Sequence, residues 1–138
     1  MKFEVVILIA FLILDSCDYC KAVYGEESLG SRFMLVNEND DQVYILYCTS
    51  QHCCTSGVNI VPSKVEQVKF DDTWIIAESK PQDGEATYWI INKDFEVDLT
   101  KYDDESSHDV IMSNVAGPLD QSQFLERRDS LNIELSFE

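Results

Sequence analysis

Residues 73–78 (TWIIAE) and 86–92 (ATYWIIN) decide the fold, because each is a short apolar run rich in β-branched and aromatic residues. Between them, residues 79–85 (SKPQDGE) supply the Pro, Asp and Gly residues that favour turns. We therefore expect the two runs to pair as an antiparallel hairpin. Trp74 and Trp89 would anchor its core, each burying on the order of 200 Å².

Other strand-like runs surround this hairpin, with turn residues between them. They cover residues 33–36, 42–48, 58–61, 64–70 and 110–115. Asp120 is a good N-cap for a helix over residues 121–130, and Gln123 could complete a capping box. The tail over residues 132–138 alternates apolar and polar residues and would return as a short strand. The pattern predicts an α+β fold, in which an antiparallel β-meander sheet carries one C-terminal helix.

The N-terminal residues 1–17 (MKFEVVILIAFLILDSC) have the features of an export signal. A basic residue, Lys2, precedes the apolar run 5–14, which is too short to cross a bilayer core as a helix. Residues 14–17 (LDSC) resemble the lipobox of bacterial lipoproteins, in which the cysteine is lipidated. A buried N-terminal strand or helix of a cytosolic domain is the alternative, which such a run at the extreme N-terminus fits poorly.

These features predict a processed protein with three parts. We expect a signal peptide over 1–16, a tether over 17–32 that is lipid-anchored at Cys17, and a single globular domain over 33–138. The predicted location is the bacterial cell envelope, attached to a membrane and facing the periplasm or the exterior.

The charge restricts the partners of the chain. Ten basic and 26 acidic residues give a formal net charge of −16. Such a surface repels phosphate backbones, so we expect no nucleic-acid binding, and it repels anionic lipids, so only a lipid anchor would hold it at a membrane. A basic protein partner is compatible with this charge, although acidity often serves only solubility.

Four of the five cysteines are disulfide candidates once Cys17 carries lipid. They are Cys20, Cys48, Cys53 and Cys54. A bond between the adjacent Cys53 and Cys54 would be strained, so each is expected to pair with a distant partner. Cys48 would then bond Cys53 or Cys54 and close a short loop, while Cys20 would tie the tether to the domain.

The sequence contains few motifs that suggest metal binding or catalysis. His52 beside Cys53 and Cys54 offers soft ligands for zinc or copper, but the paired spacings of structural zinc sites are absent from the sequence. The acidic segment from Asp98 to Asp109, with His108, lacks the spacing of a calcium-binding EF-hand loop. No hydrolase or metalloprotease motif is present. We therefore expect no catalytic residue, no metal site, no cofactor and no enzymatic activity.

Aromatic residues offer one further candidate site. If exposed together, they could form a ligand-binding face, but aromatic residues in alternating strands more often belong to the core. The residues concerned are Tyr44, Tyr47, Trp74, Tyr88 and Trp89.

Residues 33–137 resemble a group of small uncharacterised bacterial lipoproteins. The likeness rests on FMLVNENDDQVYILYC (33–48), CCTSGVNIVPSKVEQVKFDDTWIIAES (53–79), YWIINKDF (88–95) and GPLDQSQFLERRDSLNIELSF (117–137). These motifs mark turns and core, so the resemblance implies no functional residues.

The sequence therefore predicts a non-catalytic binding domain at the cell envelope. The first alternative is a small inhibitor or immunity-type protein that neutralises a basic enzyme or toxin. The second alternative is a metal-binding or thiol protein that uses His52 and the cysteines.

Overall fold

The computed structural model describes residues 19–50, 53–101 and 105–138, which form two four-stranded antiparallel sheets and short helices. The first sheet contains β1 (Glu26–Gly30), β2 (Phe33–Asn39), β3 (Gln42–Cys48) and β4 (Gly57–Val61). The second contains β5 (Val65–Phe70), β6 (Trp74–Ser79), β7 (Thr87–Asn92) and β8 (Val115–Leu119). The helices are α1 (Tyr19–Tyr24), α2 (Glu105–Ser113) and α3 (Gln121–Ser130), with a 3₁₀ turn at Leu99–Lys101.

The expected single meander is wrong in one respect, because the chain leaves one sheet after β4 and starts another at β5. Each sheet follows the chain order, β1-β2-β3-β4 and β5-β6-β7-β8. Pro62, between β4 and β5, has no N–H to donate to a sheet. Its carbonyl oxygen instead accepts a hydrogen bond from Ser79 Oγ at 2.7 Å. The fold is thus mostly β, with a C-terminal helix.

The predicted hairpin is confirmed as β6 and β7, which pair without a register shift. Alternate residues on these strands enter different cores. Ile75 and Ile91 pack into the main core between the sheets, whereas Ile76 and Ile90 pack into a second core on the other face. Burial on both faces explains why the two runs are continuously apolar rather than alternating.

The main core fills the space between the two sheets. Three of its aromatic rings contact one another, with Phe33 edge-on to Tyr47 at 5.1 Å between centroids and Phe95 stacked on Tyr47 at 5.7 Å. Trp89, as predicted, is buried in this core, while Trp74 is half-buried in the second one.

The second core joins the outer face of the second sheet to α3 and the tail. Phe124 of α3 stacks on Tyr88 and on Phe137, with centroids 5.0 and 5.8 Å apart. Ile133 and Phe137 pack there as the alternation suggested, but the tail is irregular and the predicted strand is not formed. Side-chain burial against α3, rather than strand pairing, holds this segment.

The predicted helix over residues 121–130 is confirmed together with its cap. Asp120 Oδ1 accepts from the backbone N–H of Gln123 at 2.8 Å, and Gln123 Oε1 accepts from the N–H of Asp120 at 3.0 Å. This reciprocal pair satisfies two N–H groups that a helix start leaves free.

The predicted strand over residues 110–115 is wrong, because helix α2 occupies residues 105–113. Ser107 and Ile111, four residues apart, are both buried, which is the spacing of one helix face. Gly117 and Pro118 lie inside the edge strand β8 instead of ending a strand. A Cβ on Gly117 would lie 2.4 Å from Trp89 Cε3, so only glycine lets β8 pass over this ring.

Folded structure begins well before residue 33, where the domain was expected to start. The expected tether contains α1 and the sheet strand β1. The two meet at Gly25, where φ is +64° and a Cβ would lie 2.1 Å from the Asn37 carbonyl oxygen. None of the helices in the described part of the chain has the length and apolar character needed to span a bilayer. The predicted signal peptide and Cys17 lie outside the described residues.

Candidate functional site

Two disulfides meet at the loop between β3 and β4. Cys20 of α1 bonds Cys53, and Cys48 at the end of β3 bonds Cys54, each with Cα atoms 5.3 Å apart. This confirms that the four cysteines predicted as disulfide candidates are paired. It also decides between the two pairings that the sequence left open for Cys48.

Arg32 fixes the start of this loop. Its Nε donates to the carbonyl oxygen of Cys48 and its Nη2 to that of Ser50, both at 2.9 Å. The Ser50 hydroxyl in turn donates to the carbonyl oxygen of Cys53. The loop that carries Cys53 and Cys54 is therefore held by covalent bonds and by a charged side chain.

Glu26 is the buried carboxylate beneath the loop. Its side chain is 4 % exposed, and Oε1 accepts from the N–H of Cys54 at 2.6 Å. Oε2 is buried and has no hydrogen-bond partner among the described residues. One carboxylate oxygen and the sulfur atoms of Cys20 and Cys53 all lie within 4.8 Å of one another. A buried carboxylate oxygen without a partner is costly, so its retention calls for an explanation.

A surface cleft of about 470 Å³ adjoins this cluster, between α1 and the first sheet; we call it the α1 cleft. Strand register places Glu26, Val36 and Tyr44 side by side on the sheet face turned away from the main core. The residues that line it include Lys21, Tyr24, Glu26, Val36, Glu38 and Tyr44. Among the described residues, its charged lining thus consists of two carboxylates and one ammonium group.

Tyr44 and Glu38 form a hydrogen-bonded pair in the α1 cleft. The Tyr44 hydroxyl donates to Glu38 Oε1. This bond, with burial and the negative charges of Glu38 and Glu26, raises the pKa of Tyr44 to about 12. The hydroxyl therefore stays protonated even above pH 10 and keeps its hydrogen bond to Glu38 there.

The acidic segment from Asp98 to Asp109 does not form one site in the described residues. Asp98 Oδ1 accepts from the Thr100 N–H and hydroxyl, and these bonds keep the pKa of Asp98 below its usual value. Lys101 lies 3.9 Å from Asp98, and His108 on α2 lies 3.9 Å from Asp109, both on the surface. Asp98 thus shapes a turn, while residues 102–104 and His52 lie outside the described part of the chain.

The aromatic residues considered as a ligand face are divided among three places. Tyr47 and Trp89 belong to the main core, Trp74 and Tyr88 pack in the second core, and Tyr44 lines the α1 cleft. These five residues therefore do not form a shared aromatic patch, and Tyr44 is the one among them that belongs to the candidate site.

Two further surface cavities are comparable in volume to the α1 cleft. One, of about 420 Å³, includes Lys64 and Lys80, and the other, of about 370 Å³, lies between β8 and α3. Among the described residues, neither is lined by a buried polar side chain that lacks a partner. The α1 cleft is distinguished by Glu26.

Sequence reasoning missed Glu26 and Arg32 as parts of this site. Both stand in the polar stretch GEESLGSR, which looked like a tether. The only sequence signal for β1 is the single apolar residue Leu29, which enters the main core, whereas Glu26 lies on the opposite face of the strand, at the α1 cleft.

The fold and site define a small, acidic, disulfide-bonded protein of two packed sheets. The chain belongs to the family described as protein of unknown function DUF3997, whose model matches residues 30–138. Helix α1, Cys20 and Glu26 precede the matched region. Searches of curated proteins and of solved structures found no match to this chain.

Proposed function

We propose that this protein is a lipid-anchored, non-catalytic binding domain of the cell envelope whose partner is a basic protein. The apolar run 5–14 and the lipobox-like residues 14–17 support export and lipidation at Cys17. The two disulfides are consistent with an oxidising compartment outside the cytoplasm.

The observation that carries the binding role is the acidic α1 cleft. Its volume of about 470 Å³ falls within the range of ligand pockets, so it has room for a long basic side chain. Glu38 lies at this cleft, and Glu26 lies buried at its base. In the part of the chain that the structure describes, Lys21 is the one basic side chain of the lining, so carboxylates exceed ammonium groups there.

The short distance along the chain from Cys17 to α1 supports a site close to the membrane. Only two residues lie between Cys17 and Cys20, and a fully extended chain covers at most about 10 Å over the three residue steps that join them. A lipid on Cys17 would therefore keep the α1 cleft near the bilayer surface, where a partner in the envelope could reach it.

The overall charge supports a basic partner independently of the cleft. A net charge of −16 steers cationic proteins toward the surface, and such attraction weakens as salt is added. Neutralisation of a basic enzyme or toxin would use the same surface. A loss of that enzyme's activity on binding would distinguish this inhibitor role from simple attachment.

The anchor is tested by the intact mass of the protein from the membrane fraction of its host. We expect a chain that starts at Cys17 and carries acyl groups. A chain that keeps residues 1–16, or one that starts at an unmodified Cys17, would contradict the anchoring.

The cleft is tested by binding of an arginine-rich peptide, with the matched citrulline peptide as the neutral probe. Glu38→Gln should weaken the binding of the arginine peptide by about two- to fivefold, as expected for an exposed charge pair. Asp83→Asn removes an exposed carboxylate from the β6–β7 loop and is the matched control. Equal weakening by both variants, or equal affinity for both peptides, would reject the cleft as the binding site.

A further inference from the structure

We propose that the dithiol form of this protein binds a zinc ion through Cys20, Cys53 and Glu26. Two sulfur atoms and a carboxylate oxygen of these residues lie within 4.8 Å of one another. Thiolate and carboxylate groups are both established zinc ligands. The inference concerns the chain before these cysteines are oxidised, and it does not depend on the proposed partner.

The unexplained oxygen of Glu26 points to a cation. Oε1 is occupied by the N–H of Cys54, whereas Oε2 is buried and lacks a partner among the described residues. A disulfide has no hydrogen to donate and no charge to balance a carboxylate. A divalent ion held by the two freed thiolates would still have coordination positions open, and one of them would give the carboxylate oxygen the partner that it lacks.

The geometry permits such an ion. Zinc–sulfur bonds of about 2.3 Å in a tetrahedral site place two sulfur atoms roughly 3.8 Å apart. Once the Cys20–Cys53 bond is absent, side-chain rotation can open this separation, because the Cα atoms are already 5.3 Å apart. Cys20 lies on a six-residue surface helix and Cys53 lies in a loop, so neither is fixed by a strand. The fourth zinc position would be left for water.

The second cysteine pair provides an internal control. Cys48 and Cys54 do not belong to any group of three potential ligands among the described residues. Zinc should therefore select Cys20 and Cys53. Binding displaces the two thiol protons, and the ion and the Cys20–Cys53 disulfide exclude each other, because both use the same sulfur electron pairs.

The first test uses wild-type full-length protein in detergent micelles, reduced with a phosphine under anaerobic conditions. Zinc is added, free thiols are alkylated, and labelled peptides are identified by mass. We expect Cys20 and Cys53 to resist alkylation when zinc is present, while Cys48 and Cys54 react. Protection of Cys48 and Cys54 instead, or of none of the four, would overturn the proposal.

The second test uses cobalt as a spectroscopic substitute for zinc in the same preparation. Thiolate-to-cobalt charge-transfer absorbance should persist in Cys48→Ser/Cys54→Ser and disappear in Cys20→Ser/Cys53→Ser. Glu26→Gln should weaken cobalt binding at least tenfold, and Glu26→Asp should recover part of it. If Glu26→Gln binds cobalt with unchanged affinity, the carboxylate is not a ligand of this site. If the absorbance is retained without Cys20 and Cys53, the site is rejected altogether.

Discussion

The ammonium group of Lys93 donates a hydrogen bond to the carbonyl oxygen of Leu29 at 2.8 Å, across 64 residues of sequence. Leu29 lies in the first sheet, and Lys93 directly follows β7 of the second. Lys93 is only 5 % exposed, and its Nζ lies 5.4 Å from the centroid of the Phe70 ring. Ion pairs of Lys93 with a carboxylate are absent among the described residues, so a carbonyl dipole and an aromatic face hold this charge.

Replacement of Lys93 should therefore loosen the packing of the two sheets. Lys93→Met keeps much of the apolar stem but leaves the Leu29 carbonyl without its donor. We expect a loss of roughly 1–3 kcal/mol in the free energy of unfolding, measured with urea. Lys69→Met, on the exposed side of β5, is the control and should change little. A Lys93→Met protein as stable as wild type would show that the bond does not contribute.

The two disulfides should contribute unequally to stability. Cys20–Cys53 spans 33 residues, whereas Cys48–Cys54 spans six. On the chain-entropy account, the first contributes about 4 kcal/mol and the second about 2 kcal/mol. Urea unfolding of Cys20→Ser/Cys53→Ser and Cys48→Ser/Cys54→Ser compares them directly. A larger loss of stability in Cys48→Ser/Cys54→Ser would mean that the local contacts of this loop contribute more to stability than the entropy of loop closure does.

Tyr44 should ionise late in an alkaline titration. Its pKa is raised to about 12 in the folded protein, from an ordinary value of 10.0. The folded state therefore holds this proton more tightly than the unfolded state. The stability that this adds is fully present below pH 10 and is lost as the pH rises toward 12.

The measurement is the near-ultraviolet absorbance of tyrosinate, with Tyr44→Phe to assign the signal. Because the bond to Glu38 is the largest cause of the shift, Glu38→Gln should lower the pKa of Tyr44. An unchanged titration in Glu38→Gln would assign the shift to burial.

The cap of α3 should be worth a measurable part of the stability. Asp120→Ala removes the acceptor for the Gln123 N–H and should cost roughly 0.5–2 kcal/mol. Ser122→Ala, at the exposed second residue of the same helix, is the control. Thermal unfolding of both variants provides the comparison, and equal melting temperatures would argue against the cap.

The sequence predicted the strands that carry strong local signals. β3 and the hairpin of β6 and β7 combine β-branched and aromatic residues with clear turns, so local preference and packing agree. Helix α2 was missed because Val110, Ile111 and Met112 resemble a strand, and only burial of Ser107 with Ile111 shows the helical face. The break between the two sheets was not predicted, because a proline such as Pro62 fits a turn between two strands of one sheet equally well.

The candidate site was less predictable than the fold. The cysteines were recognisable as disulfide candidates, but their pairing depends on where α1 lies over the first sheet. Glu26 carried no signal, because a glutamate in a polar stretch is normally exposed. Its burial results from tertiary packing under the Cys53–Cys54 loop, which no local pattern encodes.

The paired disulfides also determine how the domain would bear mechanical load. Without them, tension applied on the N-terminal side of Cys20 would run through α1 and peel β1 away from β2, one hydrogen bond at a time. With them, the force passes from Cys20 to Cys53, along one peptide bond to Cys54, and on to Cys48 at the end of β3. The pull therefore enters an interior strand through covalent bonds, and the weak edge strand is shielded from it.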